Sequence, residues 1–311
     1  MTFDVIGVGA SCIDHVCRLP MFPAAGGVLS KIRLTSESRT CGGQTATALA
    51  SCQRLGLRAK YVGVVGEDED GARICHELLA RGIDTSDVAR RQGIPTATAT
   101  ILIDDTGERI VLWHRDPALA FDPERLPHEA LSSARLVHLD DVDEPAAVEA
   151  ARVAARAGVP VTCDLDHVTT RTDQFLALVS IPIFAQHVPQ QLTGDANPER
   201  ALRALRQRHP GLLVVTLGAG GAAALDGDTF HHAPAFGVSA VDTTGAGDVF
   251  RGGLIYATLQ GWPVAESLRF ANAAAAASCL TLGAMAGVPD LDAVMGMLGG
   301  RPGEPFPNPE F

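Results

Sequence analysis

The stretch Ala240–Leu259, AVDTTGAGDVFRGGLIYATL, sets two carboxylates, Asp242 and Asp248, around two threonines and Gly245-Ala246-Gly247, directly ahead of an apolar run. A helix starting near Gly245 presents first-turn N–H groups without partners and the positive end of its dipole. Gly245 and Gly247 lack Cβ atoms, so a phosphate can approach the backbone closely, which makes an anion cradle without a lysine. Asp248 falls in the first turn, beside that anion. A carboxylate there repels phosphate, but it can accept a proton from an attacking hydroxyl. Charge stabilisation and an oriented nucleophile are what phosphoryl transfer requires. Taken alone, the same residues also describe a turn and a helix start whose acid complements the dipole by under ~1 kcal/mol.

The elements around this stretch decide how it is held. FDVIGVGA, AKYVGVVG, ARLVHLD, VPVTCDLD, IPIFAQ and LLVVTLG read as buried strands. ATALASCQRLG, GARICHELLARG, EPAAVEAARVAARAG and PERALRALRQRHP read as the helices between them. Such alternation implies an α/β fold with a mainly parallel central sheet flanked by helices on both faces. Ligands bind beyond the carboxyl ends of strands in such sheets. Two segments, 14–40 and 96–116, read instead as β-ribbon, the second with a turn at Asp105-Thr106-Gly107. They are expected to form a small strand lid over the site or toward a second subunit, the alternative being surface decoration. The tail GGRPGEPFPNPEF is rich in Pro and Gly and is expected to be loosely ordered.

With 311 residues, the chain is expected to be a single domain, 1–311, large enough to bury roughly 75% of its unfolded surface. A net charge of −11 argues against nucleic acid and anionic membranes, which need clustered Lys and Arg. Seven cysteines without a Cys-x-x-Cys pair fit free thiols in a reducing cytosol. No signal-peptide pattern opens the chain, and the weakly charged run 270–289 reads as a buried helix and loop, so a cytoplasmic protein is expected. Weaker signals carry little. GAGGAA (218–223) fits a dinucleotide pattern without the acid that should follow it. GEDEDG (66–71) lacks the remaining calcium-loop ligands and reads as an acidic helix start. The adjacent histidines in FHHAPAF point to opposite faces of a strand.

DTTGAGDVFRGG resembles the C-terminal signature of the PfkB/ribokinase family of carbohydrate kinases. GGQTATALASCQRLG (42–56) resembles that family's Gly-Gly signature, and VGEDEDG, DDTGER, TLGAGG and RFANAAAAA follow in the family's order and spacing. The resemblance covers nearly the whole chain. It implies a ribokinase-like fold and ATP-dependent phosphorylation of a hydroxymethyl group, with Asp248 as base and Gly245, Ala246 and Gly247 as anion hole. Asp14, Gly42, Gly43, Thr47 and Asp140 match sugar-binding positions, while Thr216, Gly218, Gly221 and Asn272 match the nucleotide border. Asp242 and Thr244 match positions that hold a monovalent cation such as K+ in some relatives. Read without the family, Asp14 and Asp140 are also ordinary cap or turn residues, and Asn272 a polar residue satisfied in an Ala-rich helix.

This chain departs from the pattern in three places. Thr47 stands where relatives often have Asn. Ala185 and Val188 replace the Asn-x-x-Glu that helps organise Mg2+ and phosphate. In the lid, Trp113, His114 and Arg115 match no particular sugar, and the two charged or titratable ones read as exposed lid charges or as contacts to an acidic substrate. The reading is an ATP- and Mg2+-dependent kinase of a small sugar, with a ketose or keto-sugar acid as acceptor. The alternatives are a nucleoside kinase and a non-catalytic relative that binds sugar and nucleotide. A homodimer through the lid is compatible with its strand edges.

Overall fold

A computed structural model describes residues 2–299; the expected loose tail lies outside them apart from Gly299. Among the described residues thirteen strands form two sheets. In chain order they are β1 (Val5–Val8), β2 (Cys12–Arg18), β3 (Ser36–Gly42), β4 (Ala59–Gly66), β5 (Asp84–Arg91), β6 (Thr98–Ile103) and β7 (Arg109–His114). Then follow β8 (Leu136–Asp140), β9 (Val161–Leu165), β10 (Ile181–Phe184), β11 (Leu213–Thr216), β12 (Ala222–Asp226) and β13 (Thr229–Ala233).

The nine-stranded sheet runs β13-β12-β11-β10-β9-β8-β1-β4-β5. Its pairings are parallel from β5 through β11, and β12 and β13 close one edge antiparallel. Strands buried on both faces need apolar residues on both, and β1 and β4 have them. Ile6, Val8, Val62 and Val64 pack with the helices Glu144–Arg156 and Pro198–Arg206. Val5, Tyr61 and Val65 pack on the other side with the helices Gln44–Arg54 and Glu69–Ala80. GEDEDG is a helix start as expected: Asp68 caps the Glu69–Ala80 helix by accepting from Gly71 N at 2.8 Å.

The second sheet, β3-β2-β6-β7, is the lid. Its strands are shorter than the expected segments, and residues 19–35 form a largely exposed loop between β2 and β3 rather than more ribbon. Four buried side chains, Val16, Ala99, Ile101 and Ile103, give the lid its own small core. β7 is exposed along its whole length and pairs on one side only. The link from central sheet to lid is short, since Gly9, Ala10 and Ser11 alone separate β1 from β2. No helix among the described residues is long and apolar enough to cross a membrane, and all seven cysteines are free.

Candidate active site

The helix Ala246–Leu259 begins where the sequence placed it, with Gly245 as N-cap. Gly245 adopts φ 76°, a left-handed conformation that disfavours side chains. A Cβ there would lie 2.7 Å from the Ala284 Cβ. Asp242 closes the preceding turn by accepting from Thr244 N and Gly283 N, both at 2.8 Å. The N–H groups of Gly247 and Asp248 have no earlier turn to pair with, so they remain available to an anion.

Two cavities meet at this helix start. One, of about 710 Å3, lies under the lid and reaches Asp14, Gly43, Gln44, Asp164 and Asp248. The other, of about 680 Å3, runs past Gly218, Gly221, Asn272 and Ala276. Thr216, Gly247 and Arg109 line both. Arg109 comes from β7, and its Nη1 donates to the carbonyl of Thr243 and, at 2.8 Å, to its hydroxyl. A lid arginine thus sits where the two cavities join.

The electrostatics of the lid-side cavity are dominated by buried acids. Burial pushes Asp248 up to about 7, against the pull of the Arg251 and Arg109 guanidinium groups, with Asp14 and Asp140 adding to the rise. A carboxyl that titrates near neutrality suits a general base. Burial likewise raises Asp14 to about 6, while the Cys12 thiol, donating to its Oδ1 at 3.2 Å, opposes the shift. Gly42 makes room for this carboxylate, since a Cβ at Gly42 would lie 2.0 Å from Asp14 Oδ2.

The structure brings together Asp14, Gly43, Gly245, Gly247, Asp248 and Thr244 at the lid-side cavity. Thr216, Gly218, Gly221, Ala246, Gly247 and Asn272 gather at the second one. Three expected substrate residues are not on the wall. Thr47 is fully buried beneath the Gly245 turn, its Cγ2 3.4 Å from where a Gly245 Cβ would be, so its methyl supports the turn. Asp140 is also fully buried and accepts from Ala10 N (2.6 Å), Thr45 Oγ1 (2.7 Å) and Val142 N (3.1 Å). It fastens the link into the lid, and its neighbour Asp141 faces the cavity instead. Gly42 acts through Asp14 rather than lining the space itself. Asn272 borders the second cavity, and its Nδ2 donates to the carbonyls of Ala233 (2.9 Å) and Pro234 (3.2 Å), outside its own helix.

Sequence reasoning missed Arg109, Arg251, Asp164 and Gln44, all on the lid-side cavity. Arg109 belongs to the quoted DDTGER hairpin and Arg251 lies three residues past Asp248, a spacing that puts both on one helix face; either was findable from position. Trp113, His114 and Arg115 all face this cavity, although Arg115 is already paired with Asp143 at 3.0 Å.

The residues present test the metals that the resemblance implies. Ala185 and Val188 carry no side-chain oxygen, and Val188 is fully buried. Among the described residues no three metal-ligating side chains cluster, so they do not fit a protein-held divalent ion. A monovalent cation fits better, because Thr244 Oγ1 is buried without a hydrogen-bond partner beside the Asp242 carboxylate.

Residues 4–291 match the pfkB family carbohydrate kinase pattern. The chain is 30% identical over 298 residues to the ATP-dependent ribose-1-phosphate kinase of Halopiger xanaduensis, covering 96% of this chain and 98% of that one. It is 27% identical over 292 residues to a nucleoside kinase of Methanothermobacter thermautotrophicus, covering 92% and 93%. The structure of Arabidopsis thaliana ribokinase complexed with ribose and ATP superposes with a TM-score of 0.79 at 25% identity, covering 96% and 99%. The ribokinase-like fold, the two cavities meeting at a glycine-rich helix start and a match over nearly the whole length agree: the chain is a phosphotransferase that belongs to the pfkB family of carbohydrate kinases.

Proposed function

We propose that this kinase transfers the γ-phosphoryl group of ATP to a hydroxymethyl group of a small carbohydrate bound under the lid, with Asp248 as general base. The observation that carries this reading is the placement of Asp248, on the acceptor cavity and one residue past Gly247, which walls both cavities. The acceptor hydroxyl gives its proton to the Asp248 carboxylate as its oxygen bonds to phosphorus and the bond to the ADP oxygen breaks. The free backbone N–H groups of Gly247 and Asp248, at the Gly245–Gly247 helix start, hold the charge that develops on the phosphoryl oxygens. ATP occupies the cavity bordered by Thr216, Gly218, Gly221 and Asn272. The triphosphate itself would hold Mg2+, which would offset its charge, and Asp242 and Thr244 would hold K+.

Asp14 and Gly43 face the sugar, and the leading acceptor is a ketose or keto-sugar acid. Arg109, His114 and Arg115 on the same cavity support an acceptor with an acidic or phosphorylated group. A nucleoside is the second reading, favoured by Trp113, whose ring borders the cavity and offers a stacking face. The seven free thiols favour a cytoplasmic setting. Residues 1–311 act as one domain with the lid strands inserted, and the unpaired edge of β7, with Ile110 and Leu112 exposed, favours a homodimer through the lid.

An ADP-release screen with Mg2+-ATP, with and without K+, tests the reading across ketoses, keto-sugar acids, aldoses, sugar phosphates and nucleosides. Turnover with one class, falling by about 10²-fold or more in Asp248→Asn while acceptor affinity persists, supports it. An unchanged rate in that variant removes Asp248 from the role of base. Turnover with nucleosides alone selects the second reading.

A further inference from the structure

One guanidinium on the floor of the acceptor cavity serves two carboxylates. Arg251 follows Asp248 by three residues on the Ala246–Leu259 helix, so both side chains fall on the same face. Its Nη2 donates to Asp164 Oδ1 at the end of β9, and its Nη1 lies 3.8 Å from Asp248 Oδ1. Gln44 Nε2 donates to the other oxygen of Asp164 at 3.0 Å, so that carboxylate is gripped from both sides. Arg251 is 5% exposed and Asp164 fully buried. The guanidinium also runs close under the anion hole, since a Cβ on Gly247 would lie 2.6 Å from its Nη1.

A buried ion pair contributes little net stability, because desolvation offsets most of its attraction. Placing this one against the base is therefore better explained by what it does to Asp248. The groups facing Asp248 are Arg251 on its own helix, Arg109 on β7, Asp14 and Cys12 on β2, Asp140 on β8 and Asp164 on β9. Apart from the two arginines, the Asp14 and Asp140 carboxylates, and burial itself, favour a protonated Asp248 that cannot act as a base. Arg109 comes from the exposed edge strand β7, whereas Arg251 is anchored in the core.

Resting on the reading of Asp248 as the base, we propose that Arg251 is its positioning residue: held by Asp164 and Gln44, it keeps Asp248 ionised and fixes its Oδ1 side, so the kinase works at a lower pH than its buried acids would otherwise allow.

The test is the pH dependence of kcat/KM for wild type, Arg251→Gln, Arg251→Lys and Asp164→Asn, using the acceptor found in the screen. Removing an opposite charge at this range should move the acid limb of the Arg251→Gln profile upward by about one pH unit or more. Its loss is then largest at low pH and mostly recovered in alkali, with Arg251→Lys between it and wild type. Asp164→Asn should move the limb downward, because the released guanidinium turns wholly to Asp248. Profiles lowered equally at every pH, with limbs unmoved, overturn the proposal and leave Arg251 a packing residue. If Arg251→Gln does not fold, the direction of the Asp164→Asn shift decides. Asp248→Asn run alongside separates the two claims: full activity there sinks the base assignment, whereas lost activity there with unmoved limbs elsewhere sinks only the role of Arg251.

Discussion

Arg109 of the lid donates to both the carbonyl and the hydroxyl of Thr243, joining β7 to the loop that ends in the anion hole. Arg18, on β2, donates to the carbonyl of Val241 and adds a second tie between the same two parts. Lid position and the loop that leads into the Gly245–Gly247 helix start are thereby coupled through arginine side chains.

Arg109→Ala should lower kcat by about 10²-fold, the scale of losing one donor where charge develops. Arg109→Lys should recover only part, since an ammonium is a compact, strongly hydrated point charge without the guanidinium's further donors. Steady-state kinetics with both substrates varied will check this; a change confined to acceptor KM would mean that Arg109 holds the sugar and not the moving group.

Gly245→Ala forces a side chain into left-handed backbone and against Ala284. A cost of about 1–3 kcal/mol is expected from strained backbone, visible as a Tm lowered by several degrees. Turnover should fall further than stability explains, because the same shift displaces the N–H groups of the next residues.

Asp248 carries a stability signature as well as an activity one. Its folded-state value of about 7 lies above the ordinary 3.8, so between these pH values the folded protein holds a proton that the unfolded chain has lost. Stability therefore falls as pH rises from about 4 to 7, and Asp14 and Asp140, each raised to about 6, act in the same direction. Asp248→Asn should be neutral at pH 4 and stabilising by about 1–3 kcal/mol at pH 8. Thermal melts at the two pH values, without ligand, measure it. An active site that gains stability when its base is removed would be the expected trade-off between function and stability.

Asn272→Ala leaves the carbonyls of Ala233 and Pro234 without their buried donor. A loss of about 1–3 kcal/mol follows from the unpaired groups. The loop after β13 borders the second cavity, so KM for ATP should rise several-fold while kcat for the acceptor step changes little.

The sequence was most informative where burial or chemistry is local. VIGV and the VGVVG of β4 carry no polar side chain on either face because their strands are covered on both faces, and that leaves an unmistakable run. The turn and helix start in DTTGAGD were legible because they occupy seven consecutive residues. β5, DTSDVARR, was missed because an edge strand is half-solvated and needs no apolar run. Asp164 and Gln44 were missed for another reason: they meet across 120 positions, and neither carries a local pattern. Thr47 and Asp140 show the converse: both occupy positions where a motif suggests substrate, but the fold places one under the Gly245 turn and the other in the lid linkage.

Among the described residues only Arg109, Thr216 and Gly247 belong to both cavities. On the proposed function, donor and acceptor recognition fall to nearly separate sets of residues. Val111, Trp113 and His114 touch the acceptor space yet stand on a fully exposed strand, where substitutions usually change stability by less than about 0.5 kcal/mol. A lineage built this way can drift from one acceptor to another through lid changes that neither unfold the protein nor disturb its phosphate donor. One scaffold can in this manner diversify across sugars while its energy source stays the same.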